Sequence, residues 1–180
     1  MQDLNTKTIG FIGLGHMGGP IGRRMLEAGY SLVVFDVNSH AMKPLIALGA
    51  TQAESPKAVA DLAQVIFLSL PTPDVVRSVS IGKQGVVHGD AAKVVVDLST
   101  TGPDVVTEVA RELHAKSISM LDCPVSGGAS GARNGTLALI ASGDPLIYEH
   151  LKPLLSCFGR LFHVGDEPGM AQTMKIINNL

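Results

Sequence analysis

Short apolar runs alternate along this chain with longer segments in which apolar and polar residues are mixed. The first apolar run covers residues 8–12, and the second covers residues 31–35. Apolar runs of this length are typical of strands that are buried on both faces of a parallel sheet. The segment between them predicts a helix over residues 18–27, which Gly29 ends. The pattern therefore predicts a βαβ unit.

The same alternation continues along the chain, with no fixed-period repeat. It predicts an α/β fold, a doubly wound Rossmann-type and mostly parallel sheet with helices on both faces. Ligands of such sheets bind beyond the carboxyl ends of the strands, so the loops there are the candidate sites. The remaining predicted elements are helices over 39–48, from Pro56 after a capping Ser55, from Pro73, over 103–115, over 145–155 and from Pro168, and strands over 50–51, 65–70, 93–97, 117–122, 136–141 and 160–164.

The segment after the first strand, residues 13–18, reads GLGHMG. Gly13 allows a tight turn, Gly15 lets the backbone approach a pyrophosphate, and Gly18 lets the next helix pack closely on its strand. Free N–H groups at the start of that helix favour negative charge. The spacing alone also occurs in ordinary turns, but here strand, helix, second strand and the acidic Asp36 all follow in place. The segment therefore predicts a site for a nicotinamide dinucleotide.

Asp36 ends the second strand, eighteen positions past Gly18, and can accept both hydroxyls of an adenosine ribose. A 2′-phosphate about 4 Å from its carboxylate would meet a repulsion of about 4 kcal/mol per unit charge at a dielectric near 20. Neither Val37 nor Asn38 supplies a cation to offset that repulsion. We therefore predict NAD as the cofactor in preference to NADP.

Composition and charge exclude several classes of function. The chain has 180 residues, 46% of them hydrophobic, and a mean hydropathy of +0.29, which fits one α/β domain with buried strands. A formal net charge of −2 without a basic stripe gives no electrostatic footprint for nucleic acid. No apolar run approaches the roughly 20 residues that span a bilayer, and the first residues do not resemble a signal peptide. We expect a cytoplasmic protein with no nucleic-acid or membrane partner.

Cysteine and histidine usage gives no sign of a disulfide framework or a metal centre. The two cysteines, Cys123 and Cys157, are too few for such a framework, and we expect reduced, mostly buried thiols. The six histidines are scattered and lack the i, i+4 pairing of a helical metal site. We therefore predict no metal site.

Three further loops follow the carboxyl ends of predicted strands. They cover residues 70–73, 97–100 and 122–128, and the third contains Ser-Gly-Gly from Ser126 to Gly128. The bare N–H groups of the two glycines can receive a carboxylate. Ser-Gly-Gly is also common in ordinary flexible turns, and this alternative stays open.

The last predicted helix carries Lys175 and Asn179, which are four residues apart and therefore project from one face. On the opposite side, Ile176, Ile177 and Leu180 form an apolar patch that no later residue of the sequence covers. One interpretation is a frayed end with a solvated lysine. The other is a polypeptide that is cut short, and its bare patch predicts a homo-oligomer in which each copy covers the other's helix.

Four of these segments, in this order, resemble the β-hydroxyacid dehydrogenase family, the group of 3-hydroxyisobutyrate dehydrogenase and tartronate semialdehyde reductase. Residues 10–18 resemble its cofactor signature, residues 97–100 and 122–128 resemble its substrate loops, and Lys175 with Asn179 is similar to its catalytic element. The match covers nearly the whole chain. It implies an oxidoreductase that transfers a hydride between NAD and a small 3-hydroxy acid.

The cofactor motif and the resemblance together assign three groups of site residues. Lys175 is the predicted general acid/base. The predicted substrate-binding residues are Ser99, Ser126, Gly127, Gly128 and Asn179. The predicted cofactor-binding residues are Gly13, Gly15, His16, Met17, Gly18, Asp36, Val37, Asn38, Leu70, Pro71, Val75 and Thr100.

The sequence departs from the family pattern at a few positions. Cys123 stands where alanine is common, Ala171 replaces a glycine of the catalytic signature, and that signature has one extra residue in its glycine segment. Gln172 argues against the related phosphogluconate dehydrogenases, which carry histidine there. Lys175 argues against the related imine reductases, which usually lack it.

Family members continue into an all-helical second domain that begins along the helix bearing the catalytic lysine. We therefore assign residues 1–165 to a dinucleotide-binding domain and residues 166–180 to the start of that interdomain helix. The resemblance implies that the all-α C-terminal domain is absent from this chain, and that the fragment binds NAD but turns over little or nothing. The alternative is a non-catalytic NAD-binding module.

Overall fold

The computed structural model describes residues 4–179, in which nine strands and eight α-helices alternate along the chain. A short 3-10 helix, Val86–His88, precedes the fifth strand. The strands are β1 (Thr8–Ile12), β2 (Ser31–Phe35), β3 (Thr51–Gln52), β4 (Val65–Leu68), β5 (Val94–Asp97), β6 (Ser119–Asp122), β7 (Val125–Ser126), β8 (Leu137–Ser142) and β9 (Gly159–Gly165). The helices are α1 (Gly18–Glu27), α2 (Ser39–Ile46), α3 (Pro56–Ala60), α4 (Pro73–Ile81), α5 (Pro103–His114), α6 (Gly128–Asn134), α7 (Pro145–Leu155) and α8 (Met170–Asn179).

All strands of the described part belong to one sheet, and six of them run parallel in the order β3-β2-β1-β4-β5-β6. The chain changes its direction of winding at β1, which has β2 on one side and β4 on the other. Beyond β6, strand β8 pairs antiparallel with β6 and β7 and parallel with β9. The predicted doubly wound, mostly parallel sheet is confirmed, and its ligand crevice is expected where the winding reverses.

The core consists of two hydrophobic clusters, one on each face of the sheet, because successive strand residues point to opposite faces. On the first face, the rings of Phe11 and Phe67 stack with centroids 5.9 Å apart. Phe158 meets Phe67 edge-on at 6.2 Å. Residues of α1, α2, α6 and α7 cover this face, and residues of α3, α4 and α5 cover the other. The prediction of helices on both faces is confirmed.

Two helices begin at a capping Ser or Thr that is followed by proline. The Ser55 hydroxyl accepts the N–H of Ala58 at 3.0 Å, and Pro56 opens α3. Thr72 caps α4 in the same way, and Pro73 follows it. Proline is tolerated here because the first N–H groups of a helix have no internal acceptor.

Sequence reasoning missed β7 and α6, which lie in and after the segment predicted as a loop. The sequence of α6, GASGARN, has two glycines and no apolar periodicity, so its helix depends on packing against α1 and β8. Other boundaries differ by one or two residues from the prediction. Among them, α2 ends at Ile46, β3 begins at Thr51, β4 ends at Leu68, β6 begins at Ser119 and α8 begins at Met170.

Within residues 4–179, no helix combines the length and the apolar character needed to cross a bilayer. In the same residues, no three His, Cys, Asp or Glu side chains are grouped so that they could hold a metal ion. Cys123 is buried and Cys157 is partly exposed, and both are free cysteines. Burial raises the pKa of the Cys123 thiol, so it stays protonated.

Candidate functional site

A cleft of about 510 Å³ opens at the carboxyl ends of β1, β2 and β4. Its walls come from the glycine loop after β1, the end of β2, the segment after β4 and one face of α4. The cleft therefore lies where the winding of the sheet reverses, which is where doubly wound sheets bind their ligands.

The glycine loop has the geometry that its sequence predicts. Gly13 has a φ of +90°, which favours glycine. A Cβ on Gly18 would collide with the carbonyl oxygen of Gly13, so α1 begins this close to β1 only because residue 18 is glycine. A Cβ on Gly15 would meet no protein atom within 4 Å. Gly15 also lines the cleft, so the space above it is free for a ligand.

The N-terminus of α1 opens toward the same space. No side chain caps this helix, and its first turn contains no acidic residue. The N–H groups of His16 and Met17, which both line the cleft, donate to no acceptor within residues 4–179. Unpaired N–H groups and the helix dipole together favour an anion. The loop therefore fits the pyrophosphate of a dinucleotide.

The carboxylate of Asp36 is held in place by two backbone donors. Its Oδ2 accepts the N–H of Leu14 at 2.7 Å, and its Oδ1 accepts the N–H of Asn38 at 2.8 Å. Each carboxylate oxygen keeps a second lone pair, which can accept a ribose hydroxyl. No lysine or arginine is among the residues that line the cleft.

The cleft brings together nine of the twelve predicted cofactor residues. The other three lie outside its lining. Gly18 packs against the carbonyl group of Gly13, the Asn38 side chain caps α2, and Thr100 is exposed on the turn after β5. The nine are Gly13, Gly15, His16, Met17, Asp36, Val37, Leu70, Pro71 and Val75. Sequence reasoning missed Ile12, Phe35, Ser69 and Val79, although Val79 lies one turn after Val75 on α4.

Ser126, Gly127 and Gly128 form an ordered junction between β7 and α6. Ser126 pairs with Ala138 of β8, and the two glycines have φ values of +128° and +62°. Both values favour glycine. Gly127 and Gly128 are exposed, and no side chain caps α6. The junction is therefore accessible, and its backbone shape depends on the two glycines.

Lys175 lies on the face of α8 that is turned toward the protein. It is only 6% exposed, and it shares this face with Ala171 and Gln172, which are fully buried. Among residues 4–179, its Nζ is not one of the fully enclosed polar atoms that lack a hydrogen-bond partner. Within residues 4–179, Lys175 forms no ion pair. Lysines are rarely buried without an acidic partner, which marks Lys175 as a candidate functional residue.

The rest of the α8 surface is exposed. Asn179, which the sequence placed on the face of Lys175, is exposed in the last described turn. Ile176 and Ile177 are 46% and 61% exposed, as the predicted apolar patch requires. Leu180, its third member, lies outside the described residues.

Sequence reasoning missed a buried polar network that holds α8 against the sheet. Asp122, at the carboxyl end of β6, accepts the N–H groups of Gly169 at 3.1 Å and Gln172 at 3.2 Å. The side-chain amide of Gln172 donates to Asp122 at 2.7 Å. Ser142 binds Ala171 N at 2.9 Å. The only sequence signal for this network was the position of Asp122 at a strand end.

Ser99 is buried, and its hydroxyl is already engaged. Its oxygen accepts the N–H of Leu70 at 3.0 Å, and its backbone N–H donates to Asp97 at 2.9 Å. The Ser99 side chain therefore fixes the backbone of Leu70, which lines the cleft. Direct contact of Ser99 with a substrate stays a prediction.

Asp97 and Asp122 are neighbours in register at the carboxyl ends of β5 and β6. Burial raises the pKa of each carboxyl from 3.8 to about 6. Asp122 has four donors around it, whereas Oδ2 of Asp97 has no partner within the described residues. The neighbouring carboxylate of Asp122 raises the pKa of Asp97 further.

Comparison with known proteins agrees with this geometry. A family model described as the NAD binding domain of 6-phosphogluconate dehydrogenase matches residues 8–165. The chain belongs to this family.

The chain is similar to part of several longer proteins. The 3-hydroxyisobutyrate dehydrogenase of Pseudomonas aeruginosa is 39% identical over 174 residues, 96% of this chain and 58% of that protein. The 3-hydroxyisobutyrate dehydrogenase of Mycobacterium tuberculosis, solved with L-serine, has a TM-score of 0.90 and 31% identity over 97% of this chain and 59% of that one. Psf3, solved with NADP+ and 2-OPP, has a TM-score of 0.89 and 34% identity over 95% of this chain and 61% of that one.

The resemblance to the β-hydroxyacid dehydrogenases is thereby confirmed, and so is the assignment of an NAD-binding Rossmann domain. The chain spans less than two thirds of the length of these relatives. The division at residue 165 stays a prediction.

Substitutions of Gly15 and Gly18 in the NAD-binding loop should affect stability and NAD affinity differently. Gly15→Ala should leave the free energy of unfolding within about 0.5 kcal/mol, because its methyl enters open space. It should weaken NAD binding at least about tenfold, because the methyl occupies the pyrophosphate space. Gly18→Ala should lower the free energy of unfolding by about 1 to 3 kcal/mol. Urea unfolding measures the stability of the two variants, and NAD titration measures their affinity. Equal losses of stability in the two variants would contradict the different roles given to Gly15 and Gly18.

The raised pKa of Asp97 predicts a pH dependence of stability. The folded protein binds the proton of the Asp97 carboxyl more tightly than the unfolded chain does. The contribution of this proton to the free energy of unfolding is therefore fully present below pH 3.8, and it is lost as the pH rises through about 6. Asp97→Asn keeps the acceptor for Ser99 and removes the titration. The variant should therefore be about 1 to 3 kcal/mol more stable than wild type at pH 7, but not at pH 4. Urea unfolding at both pH values is the measurement, with the exposed Asp166→Asn as control.

Proposed function

We propose that this chain is the cofactor-binding part of a dehydrogenase that transfers a hydride between NAD and a small 3-hydroxy acid of the 3-hydroxyisobutyrate or tartronate semialdehyde type. The observation that carries this proposal is Lys175, which is only 6% exposed and forms no ion pair within residues 4–179. The names of the Pseudomonas aeruginosa and Mycobacterium tuberculosis relatives support the substrate class.

The cleft supplies binding and orientation. N–H groups at the start of α1 bind the pyrophosphate, and Asp36 accepts the ribose hydroxyls. When it is bound, the nicotinamide ring supplies the hydride or receives it. Leu70 and Pro71, braced by Ser99, form the wall of the cleft after β4.

Lys175 moves the proton. During reduction its ammonium donates a proton to the substrate oxygen, and during oxidation its neutral amine takes that proton from the hydroxyl. The N–H groups and hydroxyl of the Ser126 to Gly128 junction bind the substrate carboxylate, and Asn179 orients the substrate. These roles follow from the family resemblance together with the accessible junction and the shared helix.

A second candidate function is a non-catalytic NAD-binding module. Asn179 favours it, because this residue is exposed and does not share the buried face of α8 on which Lys175 lies. Steady-state assays of this chain and of any longer natural form, with 3-hydroxyisobutyrate, tartronate semialdehyde and related acids, separate the two. Activity in either form supports the dehydrogenase, and absence in both favours the module.

The proposal includes self-association and a cytoplasmic location. The exposed side chains of Ile176 and Ile177 support the first, because a second copy of α8 would cover them. The cytoplasmic location rests on the sequence alone.

Asp36 predicts a preference between the two cofactors. NAD should bind at least about tenfold more tightly than NADP, because the carboxylate repels a 2′-phosphate and the cleft lining holds no compensating cation. Asp36→Ser should reduce that ratio, whereas Asp104→Ser, exposed on α5, should not. Titration of both cofactors is the measurement. Equal affinities in the wild type would refute the preference.

Lys175 predicts a loss of turnover without a loss of cofactor affinity. In a form that is active, Lys175→Ala should lower kcat about 10²- to 10⁴-fold, because the proton donor is gone. NAD affinity should barely change. Lys116→Ala, an exposed lysine after α5, is the matched control. Near-normal turnover in Lys175→Ala would remove this residue from the mechanism.

A further inference from the structure

Gln172 is fully buried on α8, three residues before Lys175. Its amide NH2 donates to Oδ1 of Asp122 at 2.7 Å and to the carbonyl oxygen of Ser99 at 3.1 Å. Its amide oxygen accepts the N–H groups of Thr101 at 3.0 Å and Gly102 at 3.1 Å. Both donors and both lone pairs of the side chain are therefore used. Among the hydrogen-bonding side chains, only an amide offers two donors and two acceptors at this length.

These bonds join the helix of Lys175 to two strand ends. Asp122 fixes the first turn of α8 at the end of β6. Two backbone N–H groups of the turn after β5 donate to the amide oxygen of Gln172. Lys175 follows on the same buried face, about 4.5 Å further along the helix axis.

The connection continues into the cofactor cleft. Ser99, whose carbonyl binds Gln172, also accepts the N–H of Leu70 through its hydroxyl at 3.0 Å. Leu70 lines the cleft. A chain of hydrogen bonds therefore runs from the cleft wall through Ser99 and Gln172 to the helix that carries Lys175.

We propose that Gln172 is a positioning residue, which couples occupation of the cofactor cleft to the order of the helix that carries Lys175. Contact of NAD with Leu70 restricts the motion of Ser99 through their hydrogen bond. The hydrogen bond between Ser99 and Gln172 extends this restriction to α8. The consequence for proton transfer by Lys175 rests on the proposed function, whereas the coupling itself depends only on NAD binding.

Amide hydrogen exchange of this chain, with and without saturating NAD, tests the coupling. In the wild type, NAD should slow exchange in the glycine loop and also in α8, the latter by about 2- to 30-fold. Gln172→Leu should keep the slowing in the glycine loop and lose it in α8. Gln84→Leu, at an exposed position before the 3-10 helix, is the matched control and should behave as the wild type.

A milder variant keeps the test valid if Gln172→Leu fails to fold. Ser99→Ala removes the hydroxyl that accepts the N–H of Leu70 and hydrogen-bonds Asp97, and it should abolish the slowing in α8 in the same way. The proposal is overturned if NAD-bound wild type shows no slowing in α8, or if the folded variants retain it. Because turnover is not measured, failure of the hydroxy acid chemistry would leave this result intact.

Discussion

The carboxylate of Asp122 holds the start of α8 against the sheet. It stands at the carboxyl end of β6 and accepts two backbone N–H groups from the start of α8, the amide of Gln172 and the hydroxyl of Ser142. Without it, several buried donors would lack an acceptor, and each would cost about 1 to 3 kcal/mol. The position of α8, and therefore of Lys175, depends on this group.

Burial of Asp97 and Asp122 lowers the free energy of unfolding near neutral pH, because both carboxyls are then ionised inside the protein. Desolvation raises the pKa of both Asp97 and Asp122 to about 6, and Oδ2 of Asp97 has no partner in the described part of the chain. A purely structural sheet would place apolar residues at these strand ends. Buried polar groups of this kind are expected where a protein requires one defined geometry.

The cofactor half of the site was predictable from sequence because its chemistry is local. The turn at Gly13, the close approach at Gly18 and the acid at Asp36 all lie within one βαβ unit of consecutive residues. The surroundings of Lys175 were only partly predictable. Helical spacing placed Lys175 and Gln172 on neighbouring positions, but the partners of Gln172 lie 50 to 73 residues earlier in the chain. No periodicity carries information over such a separation.

The sequence by itself determined the alternation of strands and helices, the doubly wound class and the phosphate loop, since each follows from apolar runs and glycine geometry over a few residues. Only the tertiary structure decided that β7 and α6 form, because their residues have no strong local preference and depend on packing against β8 and α1. It also decided which face of α8 is buried. That choice depends on the carboxylate and amide hydrogen bonds that form once β5, β6 and α8 meet.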